Sequence, residues 1–492
     1  MQIKVIKLLT LSNLYTFLRC IFRLPISPET ARLLFAAIAI DTTLPKKRKR
    51  GVPVGTADVI EVDGENIELT ASNPSRDKQT VDRQTYQNYK SALKFWHEYS
   101  CQDMDKEGKP WPEPVNKVIN DAVASYKREV GDKKRRGVMA QKEGKSAYNL
   151  TGYVAICSYF MKMHPDGNRF TWMESIFAGL FTKLSVHTIG RSDNIDDLLL
   201  YNMSWENDAM TISFSTSKPD QSGCSTNEKK RLYANPFRPE ICVVLGMAIY
   251  TWCKTRNQGD RFLFDGVDQH KRYYNCLMRA LKEIPESIHL GTTRSDIGTH
   301  SNRKFAESTS ASKIDGPTHT QTCLRAGQSV GRSQDCYMKQ EDDGDAIVGR
   351  TLAQLELNAD QFDILPCHFN QETLDLIYRH GWSKLLPDFD NYPENFKNIT
   401  YKLFPTLVHH YFNGDLNRIL HPDHLLFKKP IFSILENHNF LLLLRDKVIL
   451  VHDTSPNTQI SATGVPGFIK IQREVRLLRE EFKDNSEKTG LL

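Results

Sequence analysis

Residues 209–215, Ala-Met-Thr-Ile-Ser-Phe-Ser, alternate apolar and polar side chains, so Met210, Ile212 and Phe214 fall on one face of an extended segment. This is the period-two signature of a half-buried strand. Turn-forming residues bound it, Glu206-Asn207-Asp208 before and Pro219-Asp220-Gln221-Ser222-Gly223 after. Leu232-Tyr233-Ala234 offers a further strand, whereas the other patterned stretches nearby repeat at three and four residues. Segments 148–163, 172–186, 239–253 and 273–284 read as helices, and 239–253 is strongly apolar. A few short strands among many helices give a fold class that is mainly α with a small antiparallel β-sheet (α+β).

Upstream, Tyr86, Tyr89, Leu93 and Trp96 recur at offsets of three, four and three, and glycine and prolines over 108–114 break that helix. Val115, Val118, Ile119, Ala122 and Tyr126 mark the next. Lys127, Arg128, Lys133, Lys134, Arg135, Arg136, Lys142 and Lys145 follow as the densest basic patch in the chain, eight cations against three acids over 127–145. Most charge runs are solvated surface, but this imbalance favours a surface that tracks phosphates. The net charge of +6 and pI near 8.6 permit nucleic-acid binding without demanding it, so clustering matters more than the total.

Residues 4–20 are apolar, but Asn13 and Arg19 interrupt the run, which is short of the ~20 residues of a spanning helix. No membrane segment is expected. Lys46, Lys47, Arg48, Lys49 and Arg50 form a five-cation run in a stretch without apolar periodicity. That is the form a nuclear import receptor reads, the other reading being a non-specific nucleic-acid-binding arm. Ten scattered cysteines with no C-x-x-C pair fit a reducing compartment better than a disulfide framework. His409-His410 and His421-Pro-Asp-His424 are the close histidine groupings; without Cys or acidic partners at fixed spacing they do not make a zinc motif, and no metal or cofactor is expected.

Beyond these lies a set suited to chemistry on an anion. His300 and Arg303 form a His-x-x-Arg pair, Ala326-Gly327 a small-residue turn, and Tyr337 ends a short polar run. A phosphodiester is cleaved when an oxygen nucleophile attacks phosphorus, cations neutralise the pentavalent transition state, and an acid protonates the leaving 5′ oxygen. A tyrosine phenolate leaves well enough to make the attack reversible, and arginine's planar fork meets two phosphate oxygens at once.

Arg191, Lys218, His300, Arg303 and Tyr337 stand in the order found in the tyrosine recombinases, and Gly327-Gln328-Ser329 resembles the Gly-His-Ser of phage and bacterial integrases. The chain resembles in particular the recombinases of Cryptons, eukaryotic DNA transposons, over about residues 80–430. Segments carrying the likeness include Lys218-Pro-Asp-Gln-Ser-Gly, Cys323-Leu-Arg-Ala-Gly and Gly344-Asp-Ala-Ile-Val-Gly-Arg350. Gln328 stands where the family carries His or Trp, and Asn194 where it frequently carries an acid.

The residues themselves mark an N-terminal segment and basic linker (1–78) and a tail (366–492); between them the resemblance implies a helical core-binding domain of SAM-like type (79–165) and a catalytic domain (166–365). It implies a 3′-phosphotyrosyl bond to Tyr337, with Arg191, Lys218, His300, Arg303 and Gln328 around the phosphate. Duplex DNA as partner, a homotetramer on paired sites and residence in the nucleus complete the expectation. The alternative is a recombinase-derived DNA-binding protein with weakened or no catalysis. A type IB topoisomerase fits less well, because His300 stands where those enzymes carry lysine.

Overall fold

In the computed structural model the described residues are 31, 35, 58–62, 65–69, 87–92, 94, 113–137, 144–163, 170–214, 229–328, 330, 342–357, 362, 364–451, 462–465 and 467–489. The chain divides into two compact units, Met1–Gly144 and Lys145–Leu492. Its fold is mainly α with small antiparallel sheets.

In the first unit, strands β1 (Asp58–Val62) and β2 (Glu65–Leu69) pair in register from Val62 against Glu65 to Asp58 against Leu69. Only Asp63-Gly64 lies between them in sequence, the dipeptide favoured in two-residue hairpin loops. Sequence reading took this stretch as unpatterned linker. Helix α1 (Glu113–Arg135) buries Val115, Ile119, Tyr126 and Val130, spaced four, seven and four apart along one face.

The second unit begins with α2 (Leu150–Lys162) and α3 (Trp172–Thr188), which pack together. Helix α2 had been grouped with the upstream helices in the 79–165 segment. Its buried Tyr153, Ile156, Cys157 and Phe160 instead join the core of the second unit, so the division falls at Gly144. Helix α3 is buried from Ser175 to Thr188, because α2, α5 (Val243–Cys253), α6 (Gln269–Glu283) and α7 (Thr299–Ser312) all pack on it. A short helix, α4 (Ser192–Asp196), follows α3 directly.

Strands β3 (Met203–Glu206), β4 (Ala209–Ile212) and β5 (Lys230–Leu232) form an antiparallel sheet with β4 in the centre. The strand expected to be half buried is buried on both faces. Met210 and Ile212 face the main core, while Ala209 packs with Tyr233, Ala346, Ala353 and Leu355, a second apolar layer to which α9 (Asp342–Leu352) contributes. Between α7 and α9 lies the short α8 (His319–Arg325).

The region read as a tail belongs to this same core. Helix α12 (Glu394–Phe412) lays Phe396, Ile399, Leu403, Phe404 and Leu407 against α5, β3 and β6 (Ile364–His368). Between β6 and α12 run α10 (Gln371–His380) and α11 (Trp382–Leu385). Beyond α12 come α13 (Asp415–Ile419), α14 (Pro430–Ser433), α15 (Leu435–Leu444), β7 (Ile449–Val451), which pairs with β6, and the final α16 (Gly467–Thr489). The apolar run Phe440–Leu444 is the end of α15. Among the described residues no helix is long and apolar enough to cross a membrane.

Candidate nucleic-acid interface and active site

Arg191 is placed by a tight exit from α3. Ile189 caps that helix with φ 51° and ψ 29°, a left-handed conformation costly for a β-branched residue, and it is fully buried. Thr188 Oγ1 accepts from Gly190 N at 3.0 Å, and a Cβ on Gly190 would lie 2.6 Å from that oxygen. Arg191 then serves as the N-terminal cap residue of α4 and is partly buried.

His300 and Arg303 ride on the first turns of α7. Ser301 Oγ accepts from Gly298 N at 3.0 Å at the helix start. The buried Asn302 holds this end in place: its Oδ1 accepts from Tyr148 Oη at 2.9 Å, its Nδ2 donates to Tyr273 Oη at 2.9 Å, and Tyr273 meets Thr182 on α3 at 3.0 Å. A network satisfied at every member fixes the helix more firmly than apolar contact alone. His300 is exposed at its edge.

Gln328 is delivered by the end of α8. Gly327 N donates to Leu324 O and Gln328 N to Cys323 O, both at 2.9 Å, with Gly327 at φ +59°: a Schellman turn, in which glycine takes the left-handed position. Arg303 donates from Nη2 to Ala326 O in that same turn at 2.8 Å.

These placements bring Arg191, Arg303 and Gln328 together. The Arg191 guanidinium is held below its ordinary pKa, first by burial and then by the charge of Arg303, with Asp193 and Glu307 opposing. Glu307, one turn along α7, is the residue that sequence reasoning missed. Its Oε1 accepts from Arg303 Nε at 2.8 Å and from Gln328 Nε2 at 2.6 Å. The i,i+4 spacing to Arg303 was legible; that Gln328 joins the same oxygen was not. The arrangement is a pair of partly buried cations with an amide donor beside them and a carboxylate among them, so an incoming anion would compete with Glu307 for the same donors.

Behind the patch stands Arg325, fully buried. Its guanidinium donates to His187 O at 2.6 and 3.2 Å, to Arg231 O at 2.8 Å and to the Asp345 carboxylate. One side chain thus ties the end of α3, strand β5 and helix α9. A second buried pair, Arg350 Nη2 to Asp208 Oδ2 at 2.8 Å, links α9 to the β3–β4 turn. The Cys323–Gly327 and Gly344–Arg350 segments singled out in the sequence hold these two ties. Lys230, also not singled out, donates from Nζ to Thr188 O at 3.3 Å and to Arg325 O. Tyr337 and Lys218 lie outside the described residues, as do Lys46, Lys47, Arg48, Lys49, Arg50 and Lys142.

The remaining basic-patch residues divide between the two units. Lys127, Arg128, Lys133, Lys134 and Arg135 belong to α1, with Arg136 just past its end. Lys133 pairs with Glu129 at 2.7 Å and Arg135 with Asp132 at 3.3 Å, and the cations of the last turn complement the helix dipole. Lys145 belongs to the second unit, where its Nζ donates to Ser295 O at 2.6 Å and its chain lies against Gly298 at the start of α7.

Among the described residues, His409, His410 and Asp415 lie close enough together to hold a metal ion. Their carboxylate is already engaged, accepting from His410 Nδ1 at 2.8 Å and Arg418 Nη2 at 3.0 Å. His424 is buried edge-on to Trp172, and its Nδ1 accepts from Leu426 N at 3.2 Å. Cys157, Cys242, Cys253, Cys276, Cys323 and Cys367 are free thiols.

No family model matches the chain, and no curated protein matches it. A solved structure described as "Ndc10: a platform for inner kinetochore assembly in budding yeast" aligns at 13% identity over 76% of this chain and 94% of that one, with a TM-score of 0.32, a likeness too slight to carry an argument.

Proposed function

We propose that the chain breaks and rejoins duplex DNA through a phosphotyrosyl ester, in the manner of the tyrosine recombinases it resembles. The observation that supports this is the meeting of Arg191, Arg303 and Gln328, brought from three separate stretches to one patch where two guanidinium charges oppose each other. A phosphate relieves that repulsion, and the pentavalent transition state, with more charge on its oxygens, relieves it further.

Tyr337 Oη gives up its proton to solvent and attacks phosphorus, the bond to the 5′ oxygen breaks, and that oxygen takes a proton from Lys218. Arg191, Arg303, His300 and Gln328 hold the non-bridging oxygens. The 5′ hydroxyl of a partner duplex then attacks the same phosphorus and releases the tyrosine, so the ester conserves the bond energy. The basic end of α1 tracks the backbone of the duplex, four copies act on paired sites, and Lys46 to Arg50 direct the protein to the nucleus.

Nicked suicide duplexes taken from DNA flanking the coding sequence, together with a randomised pool, test the chemistry. The expected result is an adduct that survives denaturation, is absent with Tyr337→Phe, and falls by roughly 10²–10³-fold with Arg303→Ala. No adduct from the wild type, or as much from Tyr337→Phe, excludes catalysis. The second reading is a DNA-binding protein without strand cleavage, favoured by Glu307 standing among the cations. Salt-sensitive duplex binding without an adduct is its signature.

A further inference from the structure

The final helix, α16, presents an apolar seam that the rest of the described chain leaves uncovered. Ile471, Val475, Leu478 and Phe482 are 62%, 42%, 63% and 78% exposed. Their spacings of four, three and four residues are those of a heptad seam, which follows one side of a 3.5-residue repeat. With Val475 and Phe482 at a, Ile471 and Leu478 fall at d. A 23-residue helix of this kind spans about 34 Å.

We propose that α16 pairs with α16 of a second copy of this chain as a parallel two-stranded coiled coil. The charges beside the seam choose both occupant and direction. In that heptad Glu474 occupies g and Arg479 the following e, positions that face each other across a parallel pair, so each dimer gains two Glu474–Arg479 contacts. An antiparallel pair about the same seam sets Glu474 against Glu481 instead, and like charges repel. At the centre of the seam, Val475 at a followed by Leu478 at d is the combination that favours two strands over three or four.

A membrane surface suits the helix less well. Acidic Glu474, Glu480 and Glu481 alternate with Arg476, Arg479 and Lys483, whereas an interfacial helix carries a mainly basic polar face. The proposal stands independently of the strand-cleavage reading, since it rests on different residues.

Analytical ultracentrifugation of the full chain without DNA tests it. Wild type is expected to dimerise with concentration, and Val475→Asp/Leu478→Asp to stay monomeric with unchanged circular dichroism and thermal unfolding of the main body. Glu474→Arg should weaken dimerisation at least fivefold, and Glu474→Arg/Arg479→Glu should restore it. Val475→Cys should form a disulfide between copies under oxidation beyond any seen in wild type, because a positions meet only in the parallel pair. A wild type that stays monomeric at every concentration overturns the proposal. So does a dimer that survives the double aspartate substitution, or a charge swap that fails to rescue.

Discussion

Glu307 sets the charge balance of the anion patch. Its Oε1 accepts hydrogen bonds from both Arg303 and Gln328, and its charge offsets that of Arg303 at Arg191. In the proposed function a phosphate must therefore displace a carboxylate as well as water, and the exchange is nearly charge-neutral for Arg303. Glu307→Gln retains size and hydrogen-bonding capacity but removes the competitor. Its expected effect is duplex binding about fivefold tighter at low salt, on the order of 1 kcal/mol, with the difference shrinking as salt screens the patch. Fluorescence anisotropy across a salt series reads this, and an affinity that is unchanged or weaker at every salt concentration refutes it. Much of this site was legible residue by residue, since an arginine after a helix and a His-x-x-Arg turn carry local signatures. Glu307 escaped because an i,i+4 pair is ordinary on any helix, and its second partner arrives from a turn 21 residues away.

The elements show how the patch is braced from behind. Helix α9 lies so close to β5 that a Cβ on Gly349 would stand 2.4 Å from Arg231 O, a backbone atom that cannot swing aside. Gly349→Ala must push the helix off the strand, and with it Asp345, which holds both Arg325 and Arg231 N, the latter at 2.6 Å. A loss of about 2–3 kcal/mol in urea unfolding is expected, typical of overpacking, and a stability within 0.5 kcal/mol of wild type would show that the close approach is dispensable. Arg325→Ala removes more: it leaves Asp345 buried without its cation and strips three carbonyls, those of His187, Arg231 and Asp345, of a donor, for an expected loss of about 3–5 kcal/mol. The comparison is read in the same experiment, where Arg325→Ala should fall below Gly349→Ala. Neither brace was legible beforehand. The alternation over 209–215 revealed a strand and one buried face; the second face depends on α9, more than a hundred residues downstream, and periodicity within the strand carries no trace of it. For the same reason the stretch after residue 365 read as an appendage. Helix α12 carries its apolar residues at helical spacing, but nothing local states that they pack on α5 and β3.

At the scale of the whole second unit, several buried histidines link stability to pH. His187 is pushed down to about 3, first by burial and then by the Arg325 guanidinium; His424 is pushed down to about 4, by burial and then by His421. Both are therefore neutral in the folded protein well below the ordinary histidine pKa of 6.5. In the unfolded chain they take up protons from pH 6.5 downward, so the unfolded state binds more protons than the folded one throughout the window between 6.5 and the folded values. Their contribution is fully present above pH 6.5 and is lost progressively as pH falls. At 1.36 kcal/mol per unit, each costs about 2 kcal/mol by pH 5. His410, pushed down to about 4 by burial against the opposing pull of Asp415, adds to the same trend. Thermal unfolding from pH 7.5 to 4.5 should show a plateau above pH 6.5 and a steepening fall below it. The discriminating variant is His187→Leu, which fills the same buried volume with a side chain that cannot charge. It should flatten the fall between pH 6.5 and 4.5 by about a third while leaving the plateau nearly unchanged, if His187, His410 and His424 share it evenly. A His187→Leu protein whose unfolding temperature falls as steeply as wild type would move the origin of acid sensitivity to the carboxylates. The plateau also fixes the conditions for the DNA experiments. Above pH 6.5 the brace behind the patch is unperturbed, so a change in binding or adduct there reports on Arg191, Arg303, Glu307 and Tyr337 rather than on the fold that carries them.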